Sequence, residues 1–167
     1  MRLAGHVFAY GSLARDLRGE PAVLRGARRT WGVAMDNRRV IPGYKVWLDP
    51  RDGSRPAVHV AFLDLAAAHA GARVRGVLVP VSAAELERID ARERNYARVD
   101  VTDHLAERPR PRTGRIWAYV GTAAGRARFR AGTATGTAVV ARAYLDAVRA
   151  AFSAAVPGPP APVRRLE

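Results

Sequence analysis

The stretch GVLVPVSAAELERIDARERNYARVDV, residues 76–101, contains a strand, a helix and a second strand in direct succession. An apolar run through Val81 is typical of a buried strand, and alternation from Tyr96 onward predicts the next one. Ser82 and Glu85 have the S-x-x-E spacing of a capping box, which marks the start of a helix. The segment therefore predicts a helix that begins at Ser82 and is joined closely to a strand at each end.

Glu93 is the informative residue of this helix. Leu86, Ile89 and Glu93 are spaced as i, i+3 and i+7, so they lie on one face, and the first two make that face apolar. A carboxylate directed into apolar surroundings is costly when ionised, so its pKa should rise toward a value useful for acid/base chemistry. The alternative is a glutamate at the helix end, held by Arg94, Arg98 or a backbone N–H at the edge of the solvent.

Asp90 lies one turn before Glu93 and is the other acidic side chain near the end of this helix. We expect it to cap the helix or to form a local salt bridge.

The N-terminal segment HVFAYGSLARD, residues 6–16, contains a strand that ends on Gly11 and Ser12 and then continues as a short helix or turn. One interpretation is an ordinary joint in which Ser12 caps the following turn. The other is an anion-binding turn, in which the backbone N–H groups of Gly11, Ser12 and Leu13 face a ligand.

The remaining pattern predicts an α+β protein. Strands are expected at residues 22–35 with bends at Gly26 and Gly32, and at 44–48, 58–63, 72–81, 96–101 and 115–121. Residues 125–136 are predicted to be a loop, 108–114 a polar turn and 137–155 an alanine-rich helix. Helices are too few for repeated βαβ units, so we expect a curled, mixed or antiparallel, barrel-like sheet with a few helices against it. A single compact domain over residues 1–155 is expected, with a Pro-rich tail, 156–167, extended over the surface or disordered.

The charge of the chain is +13, and Lys45 is the only lysine among the 28 basic residues. The arginines are scattered rather than concentrated on one element, so we expect no specific nucleic-acid partner, only weak adhesion to polyanions.

The chain has no cysteine, which excludes thiol catalysis and disulfides. His6, His59, His69 and His104 lack metal-ligand spacing. With neither a signal peptide nor an apolar run of about 18 residues, a cytoplasmic protein without a membrane partner is expected.

Three segments together resemble the γ-glutamylcyclotransferase superfamily, which includes γ-glutamylamine cyclotransferases and AIG2-like proteins. They are FAYGSL at residues 8–13, the stretch 76–101 quoted above, and WAYVG at 117–121. The resemblance runs from about Val7 to Tyr119. It implies a small mixed α/β fold and an intramolecular reaction that needs no metal or organic cofactor. In this reaction the α-amine of a γ-glutamyl group attacks its own γ-carbonyl and releases 5-oxoproline and an amine or amino acid.

The resemblance also implies roles for individual residues. Glu93 corresponds to the catalytic glutamate. Tyr10, Gly11, Ser12 and Leu13 correspond to the substrate-binding loop, although that loop commonly reads Tyr-Gly-Ser-Asn and Leu13 replaces the asparagine. The pocket tyrosines correspond to Tyr96 and Tyr119, with Tyr144 the weakest match.

Three hypotheses follow for the function. The first is a cyclotransferase acting on a small γ-glutamyl amide, with Glu93 as general acid/base. The second keeps the fold but not the reaction, as an acyl-transfer relative or a non-catalytic binder of small molecules. The third is an arginine-rich nucleic-acid-binding module. Neither the leaving amine nor the oligomeric state follows from the sequence.

Overall fold

The computed structural model describes residues 3–16, 19–106, 114–161 and 163–166. The strands among them are β1 (Leu3–Ala9), β2 (Glu20–Arg25), β3 (Ala27–Asp36), β4 (His59–Ala67), β5 (Arg73–Ser82), β6 (Tyr96–Asp100), β7 (Arg115–Gly121), β8 (Ala138–Ala141) and β9 (Arg164–Leu166). The α-helices are α1 (Leu13–Asp16), α2 (Ala83–Arg92), α3 (Ala123–Ala134) and α4 (Arg142–Phe152). Short 3₁₀ turns cover Thr102–His104 and Ser153–Ala155.

The strands form two mixed sheets. One has the order β2-β5-β1-β7-β6 and the other the order β3-β4-β8-β9. In the first sheet β1 is antiparallel to β5 and parallel to β7; in the second, β4 is antiparallel to β3 and parallel to β8. The predicted α+β class is confirmed, but the strands form two open sheets and do not close into one barrel.

The tight connection between β2 and β3 explains how the chain passes from one sheet to the other. Gly26 separates the two strands and has a φ of +70°, a conformation that glycine adopts without steric cost. The predicted bend at Gly32 is also present, because the pairing of β3 with β4 shifts register between Trp31 and Val33.

Buried side chains fill the space on both sides of each sheet. The largest cluster joins the two sheets through residues such as Phe8 of β1, Leu63 of β4 and Leu145 of α4. The opposite face of β1 packs against α2 through Leu86 and Ile89. Because β1 and β4 are covered on both faces, their sequences are apolar almost throughout.

The helix predicted from the quoted stretch forms as α2. Ser82 is its N-cap, and both bonds of the capping box are present: the Ser82 Oγ accepts from the Glu85 N–H, and the Glu85 carboxylate accepts from the Ser82 N–H at 2.7 Å. The helix ends where Glu93 leaves helical geometry, with φ −90° and ψ 51°.

The loop predicted at residues 125–136 is wrong, since α3 covers most of it. Gly125 and Gly132 lower the helix propensity of the segment, but they are seven residues apart and face the sheet at very short range. A Cβ on Gly132 would lie 2.7 Å from the Cβ of His59, and one on Gly125 would lie 2.9 Å from the carbonyl oxygen of Asn95. The glycines therefore allow the helix to pack closely.

The single helix predicted at residues 137–155 is wrong at its start. Residues 138–141 form β8, which is parallel to β4, and Val139 and Val140 are fully buried there. Helix α4 begins only at Arg142. Val139 and Val140 are β-branched and favour a strand when a neighbouring strand is available for pairing. That neighbour is β4, which the local sequence pattern does not show.

The strand predicted at residues 44–48 is also wrong. Residues 37–57, between β3 and β4, form a loop that is organised by the fully buried side chain of Asn37. The Asn37 amide donates to the carbonyl oxygens of Trp47 and Pro56, and its oxygen accepts from the Trp47 N–H. The backbone groups of Trp47 are thus satisfied by a side chain instead of a neighbouring strand. The predicted turns at Pro42-Gly43 and Asp52-Gly53 are present.

The polar turn predicted at residues 108–114 lies, apart from Gly114, outside the described residues. Near the C-terminal end of the chain, β9 adds a parallel edge strand to β8, and the indole N–H of Trp31 donates to the Pro157 carbonyl at 2.8 Å.

Candidate active site

The turn after β1 supplies backbone groups to a cavity. The Gly11 and Ser12 carbonyls accept from the N–H groups of Ala14 and Arg15, which closes the first turn of α1. The N–H groups of residues 11–13 stand at the start of that turn, where a helix offers them no acceptor. Gly11, Ser12 and Leu13 all line the cavity.

Tyr10 fixes the position of this turn. Its hydroxyl donates to the Tyr119 carbonyl oxygen at 2.6 Å, and its own carbonyl accepts from the Arg29 Nε at 2.9 Å. Burial lowers the pKa of Arg29 to about 10, which keeps the guanidinium charged at neutral pH. A buried cation and a cross-strand bond therefore hold the backbone immediately before Gly11.

Glu93 lies directly after α2 and lines the same cavity. Its N–H donates to the Ile89 carbonyl and its carbonyl accepts from the Tyr96 N–H, so its backbone is fixed on both sides. Only 9% of the residue is exposed, and a carboxylate oxygen lies 3.3 Å from the Arg92 Nε. The residue is therefore buried at the cavity instead of lying at the edge of the solvent, and its carboxylate is paired with an arginine. That arginine is neither Arg94 nor Arg98.

The electrostatics of Glu93 are a balance between burial and two cations. Burial raises the pKa of the Glu93 carboxyl, while Lys45 and Arg92 lower it and only partly offset the effect. A carboxyl group in this setting takes up a proton more readily than an exposed glutamate does.

Two tyrosines that line the cavity hydrogen-bond to the backbone of one residue of β4. The Tyr96 hydroxyl donates to the Leu63 carbonyl at 2.7 Å, and the Tyr144 hydroxyl accepts from the Leu63 N–H at 3.2 Å. Burial raises the pKa of both phenols above the ordinary value, so both remain protonated. Because the Tyr144 oxygen accepts from Leu63 and has no acceptor of its own among the described residues, its O–H is available to a ligand.

Tyr119 is buried and bonds to α2. Its hydroxyl donates to Asp90 at 2.7 Å, and Asp90 also pairs with Arg98 at 3.1 Å. Burial and the neighbouring carboxylate raise the pKa of the Tyr119 phenol. The local salt bridge predicted for Asp90 is confirmed, and Asp90 connects the end of α2 to β7.

The cavity has a volume of about 340 Å³ including its open side, and it brings together all seven residues that the sequence assigned to the site. These residues are Tyr10, Gly11, Ser12, Leu13, Glu93, Tyr96 and Tyr119. Tyr144, the weakest match in the sequence, also lines it. Sequence reasoning missed Phe8, Ala9 and Leu63. Leu63 contributes hydrogen bonds through its backbone, which leave no mark on the sequence, and Phe8 and Ala9 have the pattern of an ordinary buried strand.

The described residues contain no group of three or more histidine or acidic side chains arranged to hold a metal ion. His59, the buried histidine of β4, hydrogen-bonds to Thr137 at 2.8 Å. Within the same described ranges, no helix is both long enough and apolar enough to cross a membrane.

A family model of γ-glutamyl cyclotransferases, described as AIG2-like, matches residues 7–133. The chain belongs to this family. The match contains the loop at Gly11, all of α2 and Glu93, and it supports a cyclotransferase-type function.

Solved structures similar to the chain share little sequence with it. A γ-glutamyl cyclotransferase matches with 17% identity and a TM-score of 0.46, over 71% of this chain and 66% of that one. An Arabidopsis thaliana protein matches with 24% identity and a TM-score of 0.39, over 70% and 61%. A Homo sapiens protein described as uncharacterized matches with 16% identity and a TM-score of 0.45, over 71% and 66%. The chain thus spans less than two thirds of each of these structures. No curated protein sequence matches it.

Proposed function

We propose that the protein cyclises the γ-glutamyl group of a small γ-glutamyl amide. The α-amine nitrogen of the substrate forms a bond to the γ-carbonyl carbon, and the bond from that carbon to the leaving nitrogen breaks. The proton lost by the attacking amine passes to the leaving nitrogen, so no water is consumed. The products are 5-oxoproline and an amine or amino acid.

Glu93 is the acid/base group of this reaction. The attacking amine must be neutral, so a base has to accept a proton before the bond forms and an acid has to return one to the leaving group. A carboxylate whose pKa is raised by burial can do both in turn, which typically contributes 10²–10⁴-fold to the rate. Holding the amine and carbonyl close together adds a further advantage.

The turn after β1 holds the glutamyl end of the substrate. The N–H groups of Gly11, Ser12 and Leu13 are donors of the kind that bind an anion such as the substrate α-carboxylate. Tyr10, Tyr96 and Tyr119 shape the walls of the cavity. The free O–H of Tyr144 is suited to donate to the γ-carbonyl oxygen, on which negative charge develops during the attack.

The observation that carries the proposal is the shared cavity. Glu93 and the turn at residues 11–13 come from parts of the chain about eighty residues apart and line one half-open cavity. The walls between them are mainly aromatic and apolar, which strengthens every charged interaction inside.

The test is the replacement Glu93→Gln, which keeps the shape of the side chain and removes its acid/base function. We expect 5-oxoproline release from γ-glutamyl compounds to fall by at least about 10²-fold. The matched control is Glu87→Gln, the same change on an exposed position of α2 outside the cavity, and it should leave turnover unchanged. Retained turnover in Glu93→Gln would reject the mechanism, and ligand binding without product in the wild-type protein would indicate a non-catalytic binder.

A further inference from the structure

A second, larger cavity adjoins the one that contains Glu93. It has a volume of about 770 Å³ including its open side, and it shares Ser12 and Tyr144 with the inner cavity. A molecule held by its glutamyl end at residues 11–13 therefore has its other end at this boundary. The outer cavity is where a leaving group would extend.

The floor of the outer cavity is apolar and aromatic. Met35, Val60 and Phe62 belong to one buried cluster beneath it, and Trp47 packs against the same cluster from the loop at residues 37–57. The Asn37 side chain bonds to both backbone polar groups of Trp47, so the backbone that carries the indole is held in place. Such a surface favours an apolar or aromatic group.

The charged groups of the outer cavity are all cations. Its ionisable lining residues are Arg15, Lys45 and Arg92, and no carboxylate is among the described residues that line it. Arg92 is engaged with Glu93. The Lys45 ammonium lies 4.4 Å from the centre of the Phe62 ring and acts electrostatically on the Glu93 carboxyl, but within the described ranges no carboxylate lies at ion-pair distance from it. A cation on an aromatic floor is a partner for a carboxylate that arrives with an apolar group.

The cation beside Phe62 is a lysine, whereas the composition of the chain strongly favours arginine. Arginine occupies every other basic position, yet the position above Phe62 is Lys45, the only lysine. A lysine ammonium is a compact charge on a flexible stem, whereas a guanidinium is a wide planar fork. In a cavity that must also admit a ligand, the smaller head leaves more space.

We infer that the outer cavity selects γ-glutamyl derivatives of apolar or aromatic amino acids, with Lys45 binding the carboxylate of the leaving amino acid and Trp47 and Phe62 contacting its side chain. This substrate class rests on the proposed function. Leaving groups that are cationic, such as diamines, are disfavoured by the three cations, and neutral amines lack the group that Lys45 would bind.

The experiment compares three ligands with the same glutamyl end, using the inactive Glu93→Gln protein so that binding is measured without turnover. They are γ-glutamyl-phenylalanine, the γ-glutamyl amide of phenethylamine, which lacks only the carboxylate, and the γ-glutamyl amide of 1,4-diaminobutane. Calorimetry should show the phenylalanine compound binding about ten- to hundredfold more tightly than the phenethylamine compound, as expected for one charge-assisted contact. The diamine compound should bind most weakly.

Adding Lys45→Met to this background should reduce the preference to within about threefold. The matched control is Arg39→Met, which removes a cation from the same loop at an exposed position outside the cavity and should keep the preference. Equal binding of the first two ligands, tighter binding of the diamine compound, no binding of any, or a preference that survives Lys45→Met would each overturn the inference. If the preference is found and depends on Lys45, but the wild-type protein releases no 5-oxoproline, the inference stands and only the proposed reaction fails.

Discussion

Glu93 shows how the surroundings of one side chain shift the pKa of its carboxyl group. Most other charged residues of α2 are exposed to solvent. Glu93 follows the last turn of the helix and lines the cavity. Burial raises the pKa of its carboxyl group, and the cations Lys45 and Arg92 oppose the rise. The result is a carboxyl group that ionises at a higher pH than an exposed glutamate does.

Gly11 offers a test of the proposed binding turn at residues 11–13 that does not disturb the fold. A Cβ at this position would have as its nearest neighbour the Tyr144 hydroxyl at 3.6 Å, an ordinary contact, and the backbone is not in the left-handed region. We expect Gly11→Ala to change the free energy of unfolding by no more than about 0.5 kcal/mol. Because the methyl group lies at the wall of the cavity, it should lower kcat/KM for γ-glutamyl substrates about ten- to hundredfold.

The control for Gly11→Ala is Gly158→Ala, where an added Cβ meets nothing within 4 Å. Both variants should unfold at the same urea concentration as the wild type, and only the first should lose activity. Full activity in Gly11→Ala would show that substrate does not approach the backbone at this turn.

At the scale of single elements, α2 is the helix whose start and packing are most clearly specified by the sequence. Its capping box closes through the Ser82 Oγ and the Glu85 carboxylate, and its apolar face packs Leu86 and Ile89 onto β1 and β5. Ser82→Ala removes the bond from the Glu85 N–H and should lower the free energy of unfolding by about 1 kcal/mol.

Urea unfolding monitored by circular dichroism measures this loss. Glu85→Gln is the informative companion, since glutamine keeps an oxygen that accepts from the Ser82 N–H and should cost less than Ser82→Ala. If Ser82→Ala unfolds at the wild-type urea concentration, the cap does not contribute to the stability of the helix.

The elements that were predicted wrongly share one physical reason: long-range contacts decided them. The sequence of α3 has the two glycines of a loop, but both meet the sheet at distances that only glycine permits. Residues 138–141 continue a helical spacing, but they lie beside the unpaired edge of β4 and become β8. Local propensity could not show either partner.

The residues that line the cavity were easier to predict than the elements around it, because a carboxylate on an apolar helix face leaves a pattern in the sequence and backbone groups do not. Glu93 stood out by its spacing from Leu86 and Ile89, and Gly11 and Ser12 by ending a strand. The contribution of Leu63 is a backbone N–H and carbonyl. The position of Lys45 depends on how Asn37 fixes its loop. Neither the backbone bonds of Leu63 nor the position of Lys45 leaves a pattern in the sequence.

At the scale of the whole molecule, Arg29 connects the two sheets at the site. It lies on β3 of the second sheet and donates to the carbonyl of Tyr10, which directly follows β1, and to the carbonyl of Arg75 in β5 of the first sheet. It also donates to the Ala155 carbonyl and lies 4.2 Å from the centre of the Phe152 ring. The turn at Gly11 is therefore held by contacts from both sheets and from the end of α4.

The free energy of unfolding of the whole chain should depend on pH because Glu93 is buried. Its pKa is raised in the folded protein, so between the unfolded value, about 4.3, and the folded one the native state binds more protons than the unfolded state. Stability contributed by this group is therefore present below the unfolded pKa and lost as the pH rises through the folded pKa. Replacing the Glu93 carboxylate with an uncharged group should therefore restore the stability that is lost as the pH rises.

We accordingly expect Glu93→Gln to be at least as stable as the wild type at pH 7, with an advantage that shrinks as the pH falls to about 4. Urea unfolding at several pH values measures the difference, and Glu87→Gln should show no such trend, since Glu87 is exposed. A Glu93→Gln protein that is less stable at pH 7, with the gap closing on acidification, would mean that Arg92 and Lys45 outweigh burial. In that case Glu93 would be held as a carboxylate by its ion pair, and it would be a poor acceptor for the proton of the substrate amine.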